Sequence, residues 1–290
     1  MLMRAWRHPV FRADLVGNLV RGVADAIVAR MIPGPMAIPY ANGTSLLCAP
    51  GRPEAAELRL LVLKDFDVMA FLAHFLRKGD HFIDVGAGIG SYTVLASGVA
   101  GARVTAFEPS GAEVTTLLRN VAYNELQCLV RCLREGLGDV AARGRATLEP
   151  GGQLRVVLDP CAADEAAVPV RRLDDLSDID RPRLLKVAAG GDELYVLRGA
   201  HATLERQGLE AVIVATEKPR RGRAMRWHLV CALLEKHEFV PAEYDPFRRR
   251  LLSVESAGRK CLFVRERAVP LIEQRLQTAP SFWAGTDLCI

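Results

Sequence analysis

The chain has 290 residues, half of them apolar, enough for the core of one large α/β domain or of one domain with an appended segment. Its formal charge of +4 arises from 38 Lys and Arg interleaved with 34 Asp and Glu. It therefore lacks the basic face that follows a phosphate backbone, and no nucleic-acid partner is expected. The seven cysteines, Cys48, Cys128, Cys132, Cys161, Cys231, Cys261 and Cys289, are odd in number, scattered and never spaced CxxC. They read as the reduced thiols of a cytoplasmic protein, neither a disulfide frame nor a zinc site, and no metal is expected.

The N-terminus, MLMRAWRHPVFRADLVGNLVRGVADAIVARMIP, is basic and partly apolar, but Arg12, Asp14, Arg21, Asp25 and Arg30 interrupt it. No run approaches the roughly 20 apolar residues of a membrane span. Residues 1–58 are expected to form a helical cap on the domain that follows; peripheral contact of an amphipathic helix with a membrane surface is the alternative. The domain itself is expected over 59–290.

From about Phe66 short apolar runs alternate with helical segments, the pattern of a doubly wound parallel sheet. HFIDVGAG (81–88), ARVTAFEP (102–109), LLKVAAG (184–190), EAVIVATE (210–217) and KCLFVRE (260–266) read as strands. Between them, the segment from Gly111 to Leu126 sets Val114, Leu117, Leu118 and Val121 at the spacing of one buried helical face. The segment after Gly222 does the same with Met225, Leu229, Ala232 and Leu233. Short apolar pieces separated by Gly, Pro and Asp clusters suggest a third strand followed by a hairpin-like insertion over about 140–178.

The strongest local signal is FIDVGAGIGSYT: a buried strand, then Gly86, Ala87, Gly88 and Gly90, then a helix starting near Ser91. Backbone amides at a helix start are thereby brought close to a ligand that side chains would obstruct. The GxGxG spacing, with Asp84 two residues before it, differs from the GxGxxG of nicotinamide-dependent oxidoreductases and disfavours that class. Glu108 ends the next strand, where a carboxylate can accept hydrogen bonds from both hydroxyls of a ribose. Together the two features imply a nucleoside-containing ligand.

Across about residues 60–266 the segments DFDVMAFLAHFLRKGDHFIDVGAGIGSYTVLA, AFEPSGAEVTTLLRNVAYNEL, VRRLDDL and LLKVAAGGDELYVLRGA resemble the FkbM family of S-adenosylmethionine-dependent methyltransferases. The resemblance implies a Rossmann-like class I methyltransferase fold: an α/β architecture with a mostly parallel seven-stranded sheet and helices on both faces. It also implies O-methylation of a hydroxyl on a sugar or other small metabolite. Carried over residue by residue, Asp84, Gly86, Ala87, Gly88 and Gly90 would hold the methionine half of S-adenosyl-L-methionine and Glu108 its ribose. Asp139, in GLGD, would lie beside the adenine. Gly88 stands where the family's GANxG loop carries asparagine. Asn120 and Asn124 match paired asparagines of the family and read here as helix-end hydrogen-bonding groups.

Removing a hydroxyl proton normally takes a positioned carboxylate or histidine, or a metal held by carboxylates. The family pattern KIDVEGAEL places two acids at the end of the fourth strand, where this chain has Lys186-Val187-Ala188-Ala189-Gly190-Gly191-Asp192-Glu193-Leu194. Ala188 and Gly190 replace those acids and can neither accept a proton nor bind a cation. Glu193 and Asp192 are the candidate replacements, in a helix's first turn where acids are also favoured by the dipole. His201 on the same helix and His228 on a later one are alternative bases. A cofactor-binding pseudoenzyme is the third account. The cluster KPRRGR, Lys218–Arg223, reads as a solvated loop or an attractor for an anionic acceptor.

Overall fold

The computed structural model describes residues 8–10, 17, 34–49, 53–148, 154–159, 167–215, 223–253, 260–286 and 288–290. Most of the expected N-terminal helix and nearly all of the Lys218–Arg223 cluster lie outside these residues. After the N-terminal segment, and within the 1–58 extension expected to be helical, residues 36–48 form a β-hairpin: β1 (Met36–Pro39) pairs antiparallel with β2 (Ser45–Cys48). The cause is Asn42-Gly43, whose φ values of 48° and 80° form the tight turn that Asn-Gly favours between strands. The helix α1 (Pro53–Leu61) then runs through the expected boundary at 58/59.

The remaining elements are α2 (Phe66–Phe75), β3 (His81–Val85), α3 (Ser91–Gly98), β4 (Arg103–Phe107), α4 (Gly111–Tyr123) and β5 (Val130–Leu133). Next come β6 (Gly136–Leu137), β7 (Ala142–Leu148), β8 (Leu154–Leu158), β9 (Ala167–Arg171) and β10 (Pro182–Val187). Then follow α5 (Glu193–Arg198), α6 (His201–Glu205), β11 (Ala211–Ala215), α7 (Arg223–Lys236), β12 (Phe239–Asp245) and β13 (Arg250–Ser253). The chain closes with β14 (Lys260–Arg265), α8 (Val269–Gln277), β15 (Trp283–Ala284) and β16 (Leu288–Cys289).

The main sheet has the order β13-β12-β14-β11-β10-β3-β4-β5. β3, β4, β5, β10 and β11 are parallel, β14 runs antiparallel to both of its neighbours, and β13 adds an antiparallel edge. This is the Rossmann-like class I methyltransferase architecture with eight strands where seven were expected. Alternate side chains of each central strand feed opposite cores. Phe82 and Leu184 join the helices α2, α3, α4 and α8 on one face, while Ile83, Val85, Leu185 and Val187 meet α5, α6 and α7 on the other.

Two helices present different stripes from those expected. On α4 the buried residues are Leu117, Asn120 and Val121, with Leu118 half-exposed. On α7 the stripe is shifted by one, to Val230 and Leu234, leaving Leu229 exposed. Both segments carry apolar residues on adjacent turns, and the packing surface selects between them.

The insertion is a four-stranded sheet, β6-β9-β7-β8, larger than a hairpin. It closes against α5 by backbone contact: a Cβ built on Gly199 would lie 1.9 Å from the carbonyl oxygen of Gly138. Among the described residues no helix is long and apolar enough to cross a membrane.

Gly199→Ala should lower the unfolding free energy by about 1–3 kcal/mol, because two backbones must part to admit the methyl group. Urea denaturation measures this, and an unchanged midpoint would refute the contact.

Candidate functional site

Strand register builds the floor of the site. In parallel pairing Lys186 stands beside Asp84, and both point to the α3 face, where water is excluded. The Lys186 ammonium donates to Asp84 Oδ1 at 2.8 Å, to the Gly86 carbonyl at 2.7 Å and to the Val85 carbonyl at 3.4 Å. Thr93 Oγ1 donates to the other Asp84 oxygen at 2.8 Å, and the Tyr92 ring lies 5.1 Å from the ammonium. Asp84 is fully buried. Its side chain supports the glycine loop from beneath, through Lys186 and Thr93, because its strand position faces the helix.

Gly86 and Ala87 donate to the Phe107 carbonyl at 2.8 and 3.1 Å, which ties the loop to the end of β4. The glycines then serve different purposes. A Cβ on Gly86 (φ +70°) would fall 2.0 Å from the Ala188 carbonyl oxygen, so glycine is required there by close backbone approach. At Gly88 (φ +57°) nothing lies within 4 Å of the position a Cβ would take. That face is open space, in a left-handed conformation that asparagine also tolerates. Gly90 precedes the first residue of α3, and Ala87 packs into the core.

Glu108 lies at this opening. Its Oε2 accepts from the Gly88 amide and its Oε1 from the Ser110 amide, both at 2.8 Å. Burial pushes its carboxyl above the ordinary glutamate range, opposed by those two amides and by the nearby Lys186 charge. Gly86, Gly88 and Glu108 are thus brought together as expected. Asp139 is not: the Gly138–Asp139 backbone packs on Gly199, at the far end of α5. The strands β6–β9 divert the chain there directly after the third strand of the sheet.

The turn where the resemblance expects the acceptor begins at Ala188, whose amide donates to the Val85 carbonyl at 3.0 Å. Glu193 turns back on the loop before it, Oε1 accepting from the Ala189 amide at 3.1 Å and the Gly191 amide at 3.0 Å. Burial raises its carboxyl pKa, and these amides act against the rise. Asp192 is gripped by Arg155 of β8 through Nε at 2.8 Å and Nη2 at 3.1 Å. Arg226 of α7 approaches the same carboxylate at 3.5 Å and donates to the Gly191 carbonyl at 3.1 Å. Both candidate bases therefore carry structural bonds. His201 stands apart: it pairs with Glu205 and meets the His237 ring edge-on at 4.7 Å, beside the start of β12 and away from the ends of β3 and β10. The α5–α6 turn carries it to the opposite end of the sheet. His228 is exposed on α7.

Lys186 was legible only as a residue in register with a family pattern, and Arg155 and Arg226 carried no local signal at all. Among the described residues no group of three or more His, Cys, Asp or Glu could hold a metal ion.

No protein-family model matches the sequence, and no curated protein matches it. Solved structures resemble it in fold. An rRNA methylase from Streptococcus thermophilus shares 12% identity at a TM-score of 0.41, covering 68% of this chain and 93% of its own. The C-terminal domain of precorrin-6Y C5,15-methyltransferase from Rhodobacter capsulatus shares 16% at 0.38, covering 68% and 84%. TrmK of M. capricolum, solved with S-adenosyl-homocysteine, shares 9% at 0.37, covering 69% and 68%. Likenesses this distant assign neither ligand nor acceptor to this chain.

Lys186→Met, which leaves Asp84 buried and uncompensated, should cost about 3–5 kcal/mol in urea unfolding, and Asp84→Leu/Lys186→Met should recover much of that. A single variant as stable as the wild type would mean that the pair is not formed. Gly88→Asn should change stability by no more than about 0.5 kcal/mol, whereas Gly86→Ala should be clearly destabilising. Equal melting temperatures for these two variants would contradict the division of roles between the glycines.

Proposed function

We propose that the chain binds S-adenosyl-L-methionine over Gly86–Gly90 and methylates an oxygen of a small metabolite, a sugar hydroxyl being the acceptor that the FkbM resemblance implies. The observation that carries this reading is Glu108, a buried carboxylate fixed by two amides at the end of β4, directly beside the open face of Gly88. The residues fit the cofactor: Glu108 can accept from ribose hydroxyls, and Gly86 and Gly88 let the backbone approach without a side chain between. When bound, the cofactor supplies a methyl group on a positively charged sulfur. On this reading the protein contributes alignment and exclusion of water, which alone can provide a large part of the rate.

A second reading is favoured by the acceptor side. Ala188 and Gly190 carry no acid, Glu193 is bonded to two amides, and Asp192 is held by Arg155 and Arg226. A protein that binds the cofactor without transferring its methyl group, acting as a scaffold or regulator, accords with that arrangement.

Calorimetry should show binding of S-adenosylmethionine and S-adenosylhomocysteine but not NAD. Glu108→Ala should weaken it by on the order of 100-fold, given about 1.5–3 kcal/mol per hydrogen bond to a charged group. Absence of binding by the wild type would sink both readings. Release of S-adenosylhomocysteine with a sugar panel, increased in Ala188→Asp, supports the enzyme. Binding with no release from either protein supports the second reading. Gly190 is best left unaltered in that experiment, since its φ of +63° would strain a glutamate.

A further inference from the structure

The β1–β2 hairpin lies outside the segments that carry the family resemblance, yet it is bonded directly to the residue after Gly90 and, through Asn120 of α4, to the residue before it. Asn120 of α4 and Asn124, which caps its C-terminus, sit four apart, about 6 Å along the helix axis, while Ser45 and Leu47 sit two apart on β2, nearly the same distance. The match lets the two side chains act as a strand edge. The Ser45 amide donates to Asn124 Oδ1 at 2.8 Å, Asn124 Nδ2 returns a bond to the Ser45 carbonyl at 2.8 Å, and the Leu47 amide donates to Asn120 Oδ1 at 2.6 Å. Asn124 Nδ2 also reaches the Asn120 carbonyl at 2.7 Å, which is the helix-end bond expected from the sequence.

Asn120, fully buried, then spends its own Nδ2 on the Ile89 carbonyl at 2.7 Å. One residue beyond Gly90, the Ser91 carbonyl accepts from the Tyr40 hydroxyl at 3.0 Å. Tyr40 follows directly on β1 and is buried. The hairpin turn is also pressed on α3, where a Cβ on Gly98 would lie 2.6 Å from Thr44 Cγ2. The carbonyls before and after Gly90 are therefore both held by side chains that are part of the hairpin or docked to it.

We propose that the β1–β2 hairpin is a working part of the cofactor site: Tyr40 and Asn120 are positioning residues that set the Ile89–Ser91 segment, so hairpin docking and cofactor binding are thermodynamically coupled. The inference rests on the cofactor reading above. Coupling is reciprocal: bound cofactor must stabilise the docked hairpin by as much as the docked hairpin favours the cofactor.

The test uses the full chain with S-adenosylhomocysteine, in three versions: wild type, Tyr40→Phe and Asn124→Ala. Asn124 touches the hairpin and α4 but not the glycine loop, so a merely structural role predicts a lower melting temperature with unchanged affinity. Coupling predicts a loss of affinity of about five-fold or more in both variants at a temperature where both are folded. It also predicts that S-adenosylhomocysteine slows hydrogen exchange of the Ser45 and Leu47 amides in the wild type. Unchanged affinity in both folded variants, or exchange indifferent to the ligand, would overturn the inference while leaving the cofactor reading intact. A wild type that binds no S-adenosylhomocysteine would remove both.

Discussion

The Lys186–Asp84 ion pair is the constraint on which the site depends. Desolvating two charges costs several kcal/mol each, and attraction repays this only when the geometry is good and the remaining donors and acceptors are satisfied. Here they are satisfied by the loop itself, since the ammonium also holds the Gly86 carbonyl while Thr93 of α3 takes the second carboxylate oxygen. The same chain of contacts continues through the Tyr92 ring to Asp65, which accepts from the Tyr92 hydroxyl at 3.0 Å just before α2. The glycine loop is thus shaped from below, independently of any ligand above it.

Much of this architecture was legible in the sequence because parallel sheets have apolar strands and their ligands lie beyond the strand ends. The strands β3, β4, β10, β11 and β14 at the centre of the sheet, the glycine loop and Glu108 all follow from local pattern. What was not legible depends on partners distant in sequence. Asp84 and Lys186 are 102 residues apart, and Asp192 and Arg155 are 37 apart. An acid in a one-dimensional string shows its charge but not the cation that holds it, so neither Lys186 beside Asp84 nor Arg155 beside Asp192 could be read. Asn120 and Asn124 were read as helix-end hydrogen-bonding groups, and that bond is present; their further partners at Ile89, Ser45 and Leu47 are distant in sequence and could not be read. The hairpin was missed despite its Asn42-Gly43 turn, because basic and apolar residues before it suggested a continuous helix.

Where the family resemblance would place two acids, the chain has a turn built on its main chain. The Ala188–Gly191 turn has become a backbone structure, fixed by Glu193 below and by the Arg155–Asp192–Arg226 cluster at its end. The cluster joins the inserted sheet, the start of α5 and the first turns of α7, so the insertion is anchored at the same place where the family pattern would put chemistry. Any chemistry retained here relies on shape and placement more than on proton transfer by these residues.

The contact between Gly86 and the Ala188 carbonyl makes the glycine loop and the Ala188–Gly191 turn two surfaces of one wall. This limits the evolutionary routes open to the protein. A substitution that shifts the main chain at 188 is transmitted to the glycine loop, so this position tolerates only side chains that leave that carbonyl in place. Alanine is the smallest such side chain that still specifies a right-handed residue. Position 188 can therefore change its side chain without disturbing the glycine loop, provided its main chain stays where it is.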